Sequence, residues 1–267
     1  MATQALGEEQ RILSVGKAFT RGFETIRAYP LQTLGPMFLL SALPGILFQM
    51  VLFNTIMARV ATGAGAGGFG LFAFLGGIGL ILLTCAAFGA VIQTTVLHAE
   101  GRQPELGEIL RVGIVRCLPM AAVYIIYWFC VSIASLLLIV PGIMLALMWS
   151  MAFVAVVAER PGVFGAFSRS AQLTKGARWK ILGLFLAVVV IYAIVLGFAG
   201  VAGATTSMSV AQLRTGAAPS FGIGEIITGV INGVVVTWVT TMFASLFIEL
   251  REWKEGPDNG RLSDIFA

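Results

Sequence analysis

The chain is poor in charge. Only 11% of its 267 residues are Asp, Glu, Lys or Arg, whereas 58% are hydrophobic. A soluble globular protein carries roughly 25% charged residues. This composition therefore excludes a soluble globular protein and indicates that lipid is the main solvent of the chain. The apolar excess also excludes an intrinsically disordered chain. The surplus of 17 Lys and Arg over 13 Asp and Glu is too small to indicate a nucleic-acid-binding protein.

Residues that carry catalysis or bind metals are also scarce. His98 is the single histidine, and Asp258 and Asp264 are the only aspartates. One histidine excludes a multi-histidine metal site and a Ser-His-Asp triad with a spare base. The three cysteines lack metal-type spacing. We therefore predict a protein that is not an enzyme, with no catalytic residues, no metal and no cofactor.

Long apolar runs are what the sequence does contain. A membrane-spanning helix needs about 20 consecutive apolar residues, and six stretches of this kind are free of Asp, Glu, Lys and Arg in their interior. They cover 34–58, 69–97, 118–140, 142–158, 181–205 and 223–248. The sequence therefore predicts an all-α polytopic membrane protein with six transmembrane helices.

Two Pro-Gly pairs fall within the apolar runs. Pro141 and Gly142 divide an uncharged stretch too long for one helix, which predicts a tight hairpin between the third and fourth spans. Pro44 and Gly45 lie in the middle of the first span, where neither half could cross alone, so we interpret them as a kink.

The basic residues predict the orientation. Fifteen of the 17 lie at the ends or in the connections of one side, and only Arg59 and Arg214 lie on the other. Positive residues favour the cytoplasm, so we expect cytoplasmic termini in a bacterial inner membrane. The expected organisation is a cytoplasmic N-terminal segment at 1–32, a six-helix transmembrane domain at 33–250 and a cytoplasmic tail at 251–267.

Three charged segments show the apolar periodicity of helices that lie on a membrane surface. The apolar positions are Ile12, Val15, Phe19, Phe23 and Ile26 in the first, Leu106, Ile109, Leu110, Gly113 and Cys117 in the second, and Val163, Phe164, Phe167 and Ala171 in the third, where Leu173 breaks the pattern. We predict three cytoplasmic interfacial amphipathic helices, each preceding a pair of spans. Whether the threefold pattern is a true repeat is left open.

These helices have two interpretations of equal weight. Their basic residues could bind anionic lipid headgroups, at about 1 kcal/mol for each residue, or the helices could simply cover the cytoplasmic ends of the bundle. The headgroup candidates are Lys17, Arg21, Arg111, Arg116, Arg169, Lys175, Arg178 and Lys180.

One polar stripe marks the sixth span. Glu225, Thr228 and Asn232 share a helix face, with Gly229 and Gly233 forming a GxxxG pair. The stripe could line an external cavity, or it could hydrogen-bond between helices while the glycines permit close packing. We favour packing, because ion and proton pathways usually need charge deeper in the bilayer.

The stretch 138–183 carries a family resemblance. Pro141-Gly142 opens a span with Trp149 inside it and Glu159 at its end, and Ala166, Arg169-Ser170, Leu173, Lys175-Gly176 and Trp179 lead into the next span. This pattern resembles the membrane domain of the glycerophosphoryl diester phosphodiesterase family and of YciC-like bacterial inner-membrane proteins. The phosphodiesterase activity of the fused relatives belongs to a separate barrel that this chain lacks. The resemblance implies membrane placement and a connection to lipids.

The sequence thus predicts a non-catalytic, lipid-associated scaffold or partner subunit of a membrane complex. Expected partners are membrane lipids with anionic headgroups on the cytoplasmic side, and a membrane protein or a second copy of the chain, without nucleic acid. The first alternative is a small-molecule or lipid transporter or channel that uses the stripe of Glu225, Thr228 and Asn232. A membrane-embedded lipid-modifying enzyme is the weaker alternative, because paired acid and base groups are scarce.

Overall fold

The computed structural model describes residues 15–63, 69–207 and 222–256. Ile12 of the first predicted stripe and residues 257–267 of the predicted tail lie outside the described residues. The described residues form helices joined by short turns and connections, without a β-strand. Their helices are α1 (Val15–Ala28), α2 (Pro30–Met37), α3 (Leu43–Thr62), α4 (Phe69–Ala99), α5 (Leu106–Leu137), α6 (Ile139–Trp149), α7 (Ala152–Ala158), α8 (Val163–Thr174), α9 (Arg178–Ser207) and α10 (Ile223–Glu255).

Six helical segments are long and apolar enough to cross a membrane. They are Pro30–Val60, Phe69–Ala99, Leu106–Leu137, Ile139–Ala158, Arg178–Gly200 and Ile223–Glu255. The six predicted spans are confirmed, and the structure extends the first, third and sixth by one or more turns at one end. We call the end of the bundle with α1, the 100–105 and 159–162 connections and the last turns of α10 the charged end.

The helical hydrogen-bond pattern of the first span changes close to the place where the sequence predicts a kink. A π-helical stretch, Phe38–Ala42, joins α2 to α3 just before Pro44 and Gly45. Here the amide of Leu43 donates to the carbonyl of Phe38, five residues earlier. Proline has no N–H to continue the regular ladder, and π-helical turns are a known site of helix bending.

The predicted hairpin at Pro141 and Gly142 is displaced. The chain turns at Leu138, which has extended backbone angles of φ −158° and ψ 137°, and both residues belong to the first turn of α6. A proline is tolerated in the first turn because its missing N–H would have no partner there. Gly142 is buried where α6 starts back along α5, and an added Cβ would lie 2.8 Å from the Cα of Ser135.

The prediction of the second interfacial helix as a separate element is wrong. Residues 106–117 are the first turns of α5, which continues through Pro119 without a break. Gly113 packs on α4 so closely that a Cβ added at Gly89 would lie 2.9 Å from the Cα of Gly113. This backbone contact fixes the start of α5 within the bundle.

Helix α1 packs through a different face from the predicted apolar stripe. Ala18, Gly22 and Thr25 are buried, and Gly22 lies against the backbone of Met242 in α10. Phe23, a stripe residue, is 64% exposed. Small side chains allow the close helix approach that Phe would prevent. An interfacial position for α1 stays a prediction.

Helix α8 also differs from its predicted pattern. Its buried residues are Ala166, Phe167, Ser170, Leu173 and Thr174. Leu173 therefore belongs to the packed face instead of breaking it, while the stripe residue Phe164 is exposed. The packed face includes two hydroxyl side chains, which hydrophobic periodicity does not register.

Candidate functional site

The fourth span is broken near its middle. The sequence predicts one helix over 142–158, but α6 ends at Trp149 and α7 begins at Ala152. Helix α8 supplies the hydrogen bonds that the break removes. The amide of Met151 donates to Ser170 Oγ at 3.1 Å, and Ser170 Oγ donates to the carbonyl of Met148 at 2.7 Å. Thr174 Oγ1 lies 3.3 Å from the same carbonyl, but its single proton is shared with the carbonyl of Ser170 at 2.9 Å. The break is thus stabilised by α8, since a buried backbone group without a partner is costly.

An apolar cavity lies beside this break. Its volume is about 330 Å³, at the lower end of the range for ligand sites. Helices α4, α5, α6, α7, α9 and α10 contribute to its wall. The aromatic residues of the wall are Phe88, Tyr124, Tyr127, Trp128, Phe153, Phe185 and Phe243. The wall contains no charged side chain, and Ser150 and Thr240 are its only hydroxyl residues besides the two tyrosines. Such a surface suits a hydrocarbon group.

Two of the eight predicted headgroup candidates are bound to glutamates. Arg169 forms a two-bond pair with Glu159, with nitrogen to oxygen distances of 2.5 and 2.7 Å, and also contacts Glu255 at 2.5 Å. The hydrogen bonds to Glu159 and then Glu255 raise the pKa of the Arg169 guanidinium above its ordinary value. Arg21 lies 3.2 Å from Glu249. These pairs join α1 and α8 to the last turns of α10, so both arginines have a structural partner already.

The other six candidates form no ion pair with a described carboxylate. They are Lys17, Arg111, Arg116, Lys175, Arg178 and Lys180. Three of them are clustered where α8 leads into α9, around Trp179, which is 84% exposed. We call Lys175, Arg178, Trp179 and Lys180 the basic-aromatic segment. Exposed tryptophan beside lysine and arginine is typical of the membrane interface.

The predicted polar stripe of α10 makes contacts mostly with α9. Tyr192 Oη donates to Asn232 Oδ1 at 2.9 Å, and Thr228 Oγ1 lies 3.2 Å from the carbonyl of Ala199. Glu225 accepts from the amide of Gly222 at the start of its own helix. Gly229 and Gly233 face the first span, against Ile46, Ala42 and Phe38. These bonds support the packing interpretation of the stripe.

His98 lies at the charged end of α4. Its Nδ1 is 2.9 Å from Thr25 Oγ1, and its ring lies edge-on to Tyr29 with centroids 5.3 Å apart. Thr25 Oγ1 also donates to the carbonyl of Arg21. The contact joins α1 to α4. Within the described ranges, no three His, Cys, Asp or Glu side chains are grouped as metal ligands.

The cavity and the hydroxyl groups of α8 have no counterpart in the sequence predictions. Aromatic residues spread over several spans give no local signal, because only the folded bundle brings them together. Ser170 and Thr174 share one helix face with Phe167, so an apolar run followed by hydroxyls on one face was a readable signal of a polar contact within the bundle.

The fold defines a class, an all-α protein with six membrane-spanning segments. No protein-family model, curated protein or solved structure matches this chain.

Proposed function

We propose that the protein is a non-catalytic, lipid-associated scaffold or partner subunit in a bacterial inner membrane. The basic-aromatic segment is the observation that carries this proposal, because its three cations have no protein partner among the described residues. Their positions near Trp179 fit contact with anionic headgroups on the cytoplasmic side. The resemblance of the stretch 138–183 to the phosphodiesterase membrane domains and YciC-like proteins points in the same direction.

Neutralisation of the segment tests this proposal. We expect the triple variant Lys175→Gln, Arg178→Gln, Lys180→Gln to retain less phosphatidylglycerol during purification than the parent chain. Each removed charge is expected to weaken the association by about 1 kcal/mol. Bound lipid is measured by mass spectrometry after reconstitution in nanodiscs of mixed phosphatidylcholine and phosphatidylglycerol.

A matched control removes the same number of charges elsewhere. Arg59→Gln, Arg102→Gln and Lys254→Gln change net charge equally without touching the segment. Arg102 is already close to Glu100 and Glu108, and Lys254 lies over the ring of Trp253. Equal phosphatidylglycerol retention by the parent, the control and the test variant would sink the proposal.

Transport of a small molecule or lipid is the second candidate function. The broken fourth span beside the cavity favours it, since discontinuous helices line substrate sites in many transporters. A pathway along the stripe of Glu225, Thr228 and Asn232 is less well supported, because Thr228 and Asn232 form hydrogen bonds with α9. If Glu225→Gln and Asn232→Ala abolish a measured flux in proteoliposomes while the fold is preserved, transport replaces the scaffold proposal.

A further inference from the structure

The cavity is open on the side of the bundle that a membrane would surround. Trp128 of α5, Ile143 of α6 and Phe185 of α9 line it, and their exposed fractions are 52%, 44% and 43%. Other wall residues such as Ile92, Met120 and Val154 are buried. The mouth therefore lies between α5, α6 and α9, and the cavity extends from there into the core.

Two arginines lie on the faces of α5 and α9 that lead into this cavity. Arg178 precedes the wall residue Phe185 by seven residues, which is two turns on one face and ~10 Å along the helix axis. Arg116 precedes the wall residue Met120 by four residues, one turn or ~6 Å. Both arginines therefore lie between the cavity and the charged end.

Both arginines have unused hydrogen-bonding capacity. Neither forms an ion pair with a described carboxylate, in contrast to Arg21 and Arg169. The Nε atom of Arg178 is buried and has no acceptor in the described part of the chain. A guanidinium presents a planar set of donors that matches phosphate oxygens. The combination of a free guanidinium and an apolar cavity within two helical turns suits an amphiphile with an anionic head and a hydrocarbon tail.

We propose that the cavity binds one acyl chain of an anionic phospholipid from the surrounding membrane, with the lipid phosphate bound by Arg178 and Arg116. This inference deepens the proposed lipid association and rests on it. The uncharged aromatic wall excludes the headgroup from the cavity, because a phosphate there would lose its hydration without gaining a counter-charge. The short distances from Arg178 and Arg116 to the cavity wall correspond to a lipid that lies along α9, with its headgroup toward the charged end.

Photo-crosslinking in nanodiscs tests the inference with the full chain. The probe is phosphatidylglycerol with a diazirine in one acyl chain, used at trace level in a phosphatidylcholine bilayer, and a phosphatidylcholine with the same chain is the parallel probe. We expect labelled peptides that contain Tyr127 and Phe153, with more labelling by the anionic probe. Arg116→Gln and Arg178→Gln should each lower anionic labelling about fivefold. They should lower the phosphatidylcholine labelling less, because the choline group of that lipid neutralises the charge of its phosphate.

Filling the cavity provides a second variant. Ala146 lines the cavity, and Ala146→Phe should remove the labelling of Tyr127 and Phe153. The matched control is Ala187→Phe, which adds the same ring to an exposed position of α9 and should leave the labelling intact.

Labelling of the parent chain that is confined to exposed residues such as Leu186 and Val190 would overturn the cavity site, whether or not Ala146→Phe folds. In that case charge-dependent lipid retention by the basic-aromatic segment could still be present, so the two proposals fail separately. Equal labelling of the cavity by both probes would overturn the assignment of an anionic lipid.

Discussion

Replacing Ser170 by alanine removes the side chain that bridges the break in the fourth span. Ser170 and Met151 are both fully buried. In the variant the amide of Met151 loses its only acceptor, whereas the carbonyl of Met148 keeps a contact with Thr174 Oγ1, whose proton is shared with the carbonyl of Ser170. A buried polar group left unsatisfied costs about 1–3 kcal/mol. With the smaller loss at Met148, we expect Ser170→Ala to lower the free energy of unfolding by about 2–4 kcal/mol.

The assay is reversible unfolding in mixed micelles, followed by helical circular dichroism as denaturing detergent is added. Ser168→Ala is the matched control, because Ser168 lies on the same helix and is exposed. Its expected change is below about 0.5 kcal/mol. Hydrogen exchange at the amide of Met151 gives a local measurement, and protection there should fall in Ser170→Ala alone. If the two variants unfold at the same detergent concentration and protect that amide equally, the role assigned to Ser170 is refuted.

Three further predictions concern contacts between helices. Arg169→Gln should lower the free energy of unfolding by about 1–3 kcal/mol, because two glutamates lose a partly buried partner, and added salt should reduce the difference between parent and variant. Asn232→Ala and Tyr192→Phe should be non-additive by about 0.6 kcal/mol in a double-mutant cycle, and strict additivity would contradict the hydrogen bond. Gly113→Ala should destabilise by about 1–3 kcal/mol because its Cβ would meet the backbone of α4, whereas Gly77→Ala, which meets nothing within 4 Å, should be neutral or stabilising in the same unfolding assay.

The sequence was sufficient for the membrane class and for the number of spans, because a run of about 20 apolar residues is a local property. It was less reliable where packing decides the outcome. The break at Trp149 to Ala152 carries no proline or glycine, so only its partner Ser170 in α8 explains it. Likewise Leu138 turns the chain three residues before Pro141, since a proline fits the first turn of a helix as well as it fits a loop.

For the candidate site too, local properties could be predicted from the sequence and contacts that depend on packing could not. Charge in the connections was readable from the sequence, but the sequence could not tell which cations the protein itself neutralises. Arg169 and Arg178 are both basic residues near the membrane surface, yet only Arg169 meets Glu159 and Glu255 in the fold. The difference depends on where α10 ends relative to α8, which no local pattern encodes.

The contact between α8 and the broken fourth span has a consequence for the order of biosynthesis. Met151 and Met148 lie 19 and 22 residues before Ser170, which provides their hydrogen bonds. Until Ser170 has been translated and α8 packs against the fourth span, the amide of Met151 and the carbonyl of Met148 lack these partners. Residues 139–158 therefore complete their hydrogen bonding only together with α8, and not as an independent span.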